Sequence, residues 1–122
     1  MKTVFDDLGR DPTATEIIDY VEAHLIKQGK RSISDRTCKY RDDVGNACAV
    51  GCLIDGETAG LWDSAIPSGI YTIIDQYETP SWMKNRDKLL KSLQQVHDNA
   101  SNWDENGFQG QEDIKYVRMH FT

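Results

Sequence analysis

Apolar residues fall into a few periodic runs separated by short polar stretches, and their spacing predicts most of the elements. Ala14, Ile17, Ile18, Val21 and Leu25 recur at the 3.6-residue period of an amphipathic helix, with Tyr20 and His24 along the edge of the stripe. Asp11-Pro12 offers an N-cap with proline at the first helical position, and Thr13 with Glu16 offers a capping box in the same turn. Gly29 supplies the stop, so the pattern predicts a helix over 12–28. Residues 37–54 alternate instead. Cys38 and Tyr40 share a face opposite Lys39 and Arg41, and Cys48, Val50, Cys52 and Ile54 share one opposite Ala47, Ala49 and Gly51. The acidic, Gly- and Asn-containing stretch Asp42 to Asn46 lies between the two runs, which predicts a β-hairpin with a loop of about five residues. A second reading starts a helix at Cys48 to Leu53, where Cys48 and Cys52 meet at i, i+4.

Ile70, Ile73, Ile74 and Tyr77 predict a short helix over 67–77, ended by Pro80. Trp82, Leu89, Leu90, Leu93, Val96 and His97 make the stripe of a longer helix over 82–98, with Lys84, Arg86, Asp87, Lys88 and Lys91 outside. Residues 99–111 read as a polar loop. The segment 111–121 opens with Gln111-Glu112-Asp113, suited to a helix N-terminus, yet Val117, Met119 and Phe121 also alternate as in a strand, so both readings stay open. The order implies an α+β fold: a small antiparallel β-hairpin or sheet packed against three to four α-helices, in one compact domain over 1–122.

Composition narrows the classes. At 122 residues with 39% apolar side chains, the chain supports a single core. No apolar run approaches the roughly 20 residues needed to span a bilayer. The start, Met1 to Asp7, turns acidic before an apolar stretch forms, which predicts no secretory signal and no membrane partner. A net charge of -6 repels phosphate and argues against non-specific nucleic-acid binding. The charges are segregated, however. Lys27, Lys30, Arg31, Arg36, Lys39 and Arg41 face Asp35 alone over 27–41, whereas 42–80 holds seven acids and no Lys or Arg. Local positive potential makes Arg31, Arg36, Lys39 and Arg41, with Tyr40 for stacking, candidates for binding an anion or an acidic partner. Asp104 and Glu105, in the acidic stretch after 98, are the complementary candidates for a basic partner.

Three cysteines, an odd count, point to free thiols in a reducing compartment. Cys38, Cys48, Cys52 and His97 are weak candidates for zinc: nine residues separate the first two thiols, three the next two, and no Cys-x-x-Cys knuckle exists. His97-Asp98 are neighbours that point about 100° apart on a helix, a poor start for a catalytic pair. Catalytic signature motifs are missing, so no cofactor and no enzymatic activity are expected.

The string Cys38-x-Tyr40-Arg41-x-x-x-Gly45-x-x-Cys48-Ala49-Val50-Gly51-Cys52-Leu53-Ile54 resembles a family of small, largely uncharacterised proteins of tailed bacteriophages and prophages. His24-Leu25 in the first helix and Leu93-Gln94-Gln95-Val96-His97-Asp98 at a helix end extend the resemblance over roughly residues 14–98. The chain departs from the pattern after Asp98. The resemblance implies a viral protein in the cytoplasm of an infected bacterium and brings no established activity. Three functions are then expected. The first is an inhibitor that binds a host protein such as a defence effector. The second is a sponge for an anionic nucleotide signal, using the basic segment 27–41. The third is a zinc-stabilised domain.

Overall fold

The computed structural model describes residues 1–34, 37–64 and 70–122. Helix α1 (Ala14–Gln28) begins at Thr13, not at Asp11-Pro12, because the capping box closes: the Thr13 hydroxyl accepts from Glu16 N and the Glu16 carboxylate accepts from Thr13 N. Arg10 grips the same carboxylate at 2.7 and 3.0 Å, and with the Thr13 N–H it holds Glu16 down at about 2. Gly29, at φ 69°, ends the helix in the left-handed region and donates to Leu25 O. The predicted stripe of Ala14, Ile17, Ile18, Val21 and Leu25 is buried.

The fold is α+β, with six α-helices among the described residues rather than three or four. After α1 come β1 (Ile33–Ser34) and β2 (Thr37–Cys38), an antiparallel pair with Ile33 opposite Cys38. Helices α2 (Gly56–Ser64), α3 (Ile70–Gln76), α4 (Ser81–Asn85) and α5 (Asp87–Asp98) follow, then β3 (Trp103–Asp104), β4 (Gly107–Phe108) and α6 (Gln111–Phe121). Helix α5 is the hub, packed against α1, α3, α4 and α6. Leu89, Leu90, Leu93, Val96 and His97 face the core, as the stripe predicts. Residues 65–69, which include the predicted start of the 67–77 helix, lie outside the described residues. The expected single helix over 82–98 is two, broken at Arg86 (φ −114°). The final segment is a helix, with Ile114 and Val117 buried. No helix among the described residues is long and apolar enough to cross a membrane.

The predicted 37–54 hairpin does not form. Arg41 and Ala47 make a single antiparallel bridge across the Asp42–Asn46 loop, and then the chain coils. Cys52 N donates to Cys48 O at 3.0 Å and Leu53 N to Val50 O at 3.0 Å, the helical alternative. The physical reason is burial. Every residue from Ala47 to Ile54 is enclosed, so the two-faced logic of alternation does not apply. Buried backbone groups need partners, and here the coil supplies two of them while others come from outside the segment: Gln28 at Ala47 N, Gln94 at Val50 N, Val4 N at Leu53 O and the Arg41 guanidinium at Gly51 O and Ile54 O.

Residues 99–111, expected as a loop, contain the β3–β4 hairpin. Trp103 pairs with Phe108 and Asp104 with Gly107 around the Glu105-Asn106 turn. This hairpin serves α5, whose last carbonyls would otherwise lack donors. Asn102 Nδ2 donates to Val96 O at 2.9 Å, Trp103 Nε1 to His97 O at 2.8 Å and Arg31 Nη1 to Asp98 O at 3.1 Å.

Candidate functional site

Residues that carry the sequence motifs converge where β2 meets the end of α5. His97 is fully buried. Its Nε2 lies 3.0 Å from Ser32 N, and a backbone N–H can only donate, so Nε2 is the acceptor and the proton sits on Nδ1. That proton goes to Asp98 Oδ1 at 2.7 Å. The geometry is unexpected for adjacent helical residues and arises because Asp98 is the last residue of α5. Gln94 donates to the same carboxylate oxygen at 3.0 Å, while its own Oε1 accepts from Val50 N at 3.1 Å. The Cys38 thiol adds a third contact to Asp98. Burial first, and the Asp98 charge next, push Cys38 up to about 11.

A ring nitrogen of His97, Cys38 Sγ and an Asp98 oxygen lie within 4.8 Å of one another, a plausible donor set by distance. The hydrogen bonds do not fit a cation. Metal on Nδ1 would move the imidazole proton to Nε2, where it would face the Ser32 N–H head-on. Cys48 and Cys52, the other two sequence candidates, turn elsewhere. Cys48 Sγ accepts from Gly51 N at 3.2 Å and burial pushes its thiol up to about 12; Cys52 Sγ donates to Ala49 O at 3.1 Å and is pushed up by burial as well.

The basic candidates separate. Arg41 does not stand free on an outer face: its guanidinium donates to Gly51 O at 3.3 Å and Ile54 O at 2.9 Å, satisfying carbonyls that the coiled segment leaves open. Asp63 holds the backbone beside it, accepting from Tyr40 N at 2.9 Å and Arg41 N at 3.0 Å. Arg31 is drawn to the end of α5, and Arg36 lies outside the described residues. Lys39 and Tyr40 remain together. With Lys91 and Gln94 they line a recess of about 120 Å³ beside Cys38 and Asp98. Tyr40 is half-buried against Trp62, ring centroids 5.3 Å apart, and burial raises its hydroxyl pKa. Asp104 and Glu105 sit apart at the exposed tip of the second hairpin, where Asp104 caps Asn106 N at 2.8 Å.

Sequence reading missed Asp63, Ser32 and Lys91 as members of this neighbourhood. Asp63 and Lys91 carried no signal beyond charge, and Ser32 acts through its backbone. Reactivity follows from the thiol environments. Alkylation of Cys38 by iodoacetamide is expected to be slow near neutral pH and to rise with a midpoint near 11, with Cys48 and Cys52 protected until unfolding. A Cys38 rate at pH 7.5 equal to that of a free cysteine peptide contradicts this environment.

No family model, curated protein or solved structure matches this chain.

Proposed function

We propose that this protein works by binding: a small phage-encoded protein that occupies a host protein, such as a defence effector, in the cytoplasm of the infected bacterium. One observation supports this reading over catalysis. The thiols and His97, the groups best suited to chemistry, are committed to hydrogen bonds within the fold or held protonated, so none is poised against a substrate. The viral origin rests on the motif resemblance. Host lysate passed over the tagged protein is expected to yield one host protein at a stoichiometric ratio, whose activity falls as the complex forms. Recovery of no such partner from a susceptible host overturns the reading.

The recess at Lys39, Tyr40 and Lys91 supports the second reading, sequestration of an anionic nucleotide. Its weakness lies in its own walls, since the Asp98 carboxylate opposes an anion and Arg41 is engaged elsewhere. A panel of cyclic and linear nucleotides that raises the melting temperature would favour the sponge; a flat panel removes it.

A further inference from the structure

We propose that His97 is an acid-sensitive latch: its neutral imidazole holds Ser32, and with it β1 and β2, against the end of α5, and protonation of that ring releases them. The latch goes beyond the binding reading and stands whatever the protein binds. His97 and Ser32 are both fully buried. Among the described residues, Nε2 of the ring has one partner, the Ser32 N–H at 3.0 Å. A protonated Nε2 is a donor, so it would face another donor where neither group reaches solvent. Ser32 is moreover a joint with three arms. Its N–H goes to His97, its carbonyl accepts from Lys39 N at 3.1 Å, and its hydroxyl donates to Asn46 O at 3.1 Å. Displacing Ser32 therefore loosens β1, β2 and the Asp42–Asn46 loop together, and frees the basic side chains Arg31 and Lys39.

The other side of the ring makes protonation attainable. Nδ1 donates to Asp98 Oδ1 at 2.7 Å, and this carboxylate stabilises an imidazolium. The two partners pull in opposite directions: Asp98 favours the charged ring, whereas the Ser32 N–H tolerates only the neutral one. The remaining cations near the site disfavour a charged ring in the closed form. They are the Arg31 guanidinium, 3.1 Å from Asp98 O, the Lys39 and Lys91 ammoniums at the recess, and His24 of α1, whose charge and that of His97 repel. Asp113 of α6 is engaged by Asn102 Nδ2 at 2.9 Å, and α3 presents apolar Ile70 to the recess. Cys38 of β2, held protonated by burial, and Trp103 of β3, ring centroids 5.7 Å apart from His97, carry no charge. A proton taken up by the open form and refused by the closed one makes opening easier as pH falls through histidine's range, roughly 8 to 5. His24 cannot serve as this latch. Its Nε2 donates to Ala47 O at 3.0 Å, a bond that a protonated ring keeps.

Nuclear magnetic resonance of the isotope-labelled protein, titrated from about pH 8 to about pH 5, tests the latch. At the alkaline end the His97 ring is expected as the Nδ1–H tautomer. On acidification, formation of its imidazolium and loss of the native Ser32 and Lys39 amide resonances should share one midpoint. The amides of Ile17, Val21 and Ile114, in α1 and α6, should stay native through that midpoint. Asp98→Asn keeps an acceptor for the Nδ1–H and removes the counter-charge, so it should lower the midpoint by about one pH unit or more. Ser32→Ala keeps the N–H but loses the arm to Asn46, which weakens the closed form and should raise the midpoint. His24→Gln, still able to donate to Ala47 O, should leave it in place. Matching circular dichroism spectra at about pH 8 establish that each variant is folded. A His97 ring that takes its proton with the Ser32 amide unmoved, or a Ser32 amide that stays native down to about pH 5, overturns the proposal. So does loss of the helical amides at the same midpoint, which would make the transition global unfolding.

Discussion

Leu93→Ala is expected to lower stability by about 2–5 kcal/mol, a large share of the total for a domain this size. Leu93 is fully buried in the middle of α5, the helix that packs against α1, α3 and α6. Truncation removes the transfer free energy of the lost atoms and leaves a cavity. Leu89 and Leu90 lie one turn earlier on the same helix, and the buried faces of α1, α3 and α6 pack against it, a rigid surround that collapses poorly into a void. Urea unfolding followed by circular dichroism should show a lower midpoint with an unchanged slope. A loss under about 0.5 kcal/mol, the size expected of a surface change, would mean that α5 is not the centre of the core.

Gly51→Ala should cost about 3 kcal/mol or more, for a different reason. A Cβ at Gly51 would stand 2.0 Å from Tyr40 O and 2.7 Å from Tyr40 C. Both are backbone atoms, so no rotamer change relieves the clash. The Tyr40 carbonyl also cannot retreat freely, because it accepts from Cys48 N at 3.2 Å and Asp63 grips the adjacent N–H groups. Moving it would disturb Arg41 as well, whose guanidinium closes Gly51 O and Ile54 O. The companion change Ala49→Gly supplies a contrast, since it removes one buried methyl and should cost about 1 kcal/mol. Thermal unfolding of both variants decides the matter; a Gly51→Ala protein that melts with the parent would show that Tyr40 does not approach so closely.

Much of the helical scaffold was legible because amphipathic periodicity reports which face is buried. Helices α1 and α5 each pack one stripe and expose the other side, so Ile17, Val21, Leu25, Leu89 and Leu93 could be placed from spacing alone. That signal vanishes where every residue is buried. From Ala47 to Ile54 the alternation of small and large side chains looked like a strand, and only the surrounding structure decides that it coils. The small residues there are nonetheless a clue, because a glycine lets another backbone come close, and Gly51 meets Tyr40. The second hairpin was hidden in a polar stretch, although the Glu105-Asn106 turn followed by Gly107 at φ 104° and flanked by Trp103 and Phe108 carries a hairpin's residues. Helix α2 escaped notice because Gly56 and Gly60 weaken its pattern, yet Asp55 accepting from Thr58 N at 2.6 Å is a recognisable cap.

The candidate site was harder to read. Its residues were named, but their roles depend on donors that sequence does not display. Arg41 looked like a free cation until its carbonyl acceptors were in place. His97 looked like a possible ligand until the Ser32 N–H fixed its tautomer. Charge by itself distinguishes neither case, because Asp63, which is structural, and Glu57, which is exposed, are alike on paper.

The closure of α5 carries a consequence for how the chain reaches its native state. The donors that complete this helix come from Arg31, sixty-seven positions before its acceptor, and from Asn102 and Trp103 beyond the helix. Asn102 and Trp103 sit six positions past the carbonyls they close and can arrive with the helix itself, whereas the Asp98 carbonyl waits for Arg31 from the first third of the molecule. Joining Arg31 to Asp98 closes a loop of sixty-seven positions, so the loop-closure entropy of finishing α5 falls on that one contact and not on the two that the following residues make.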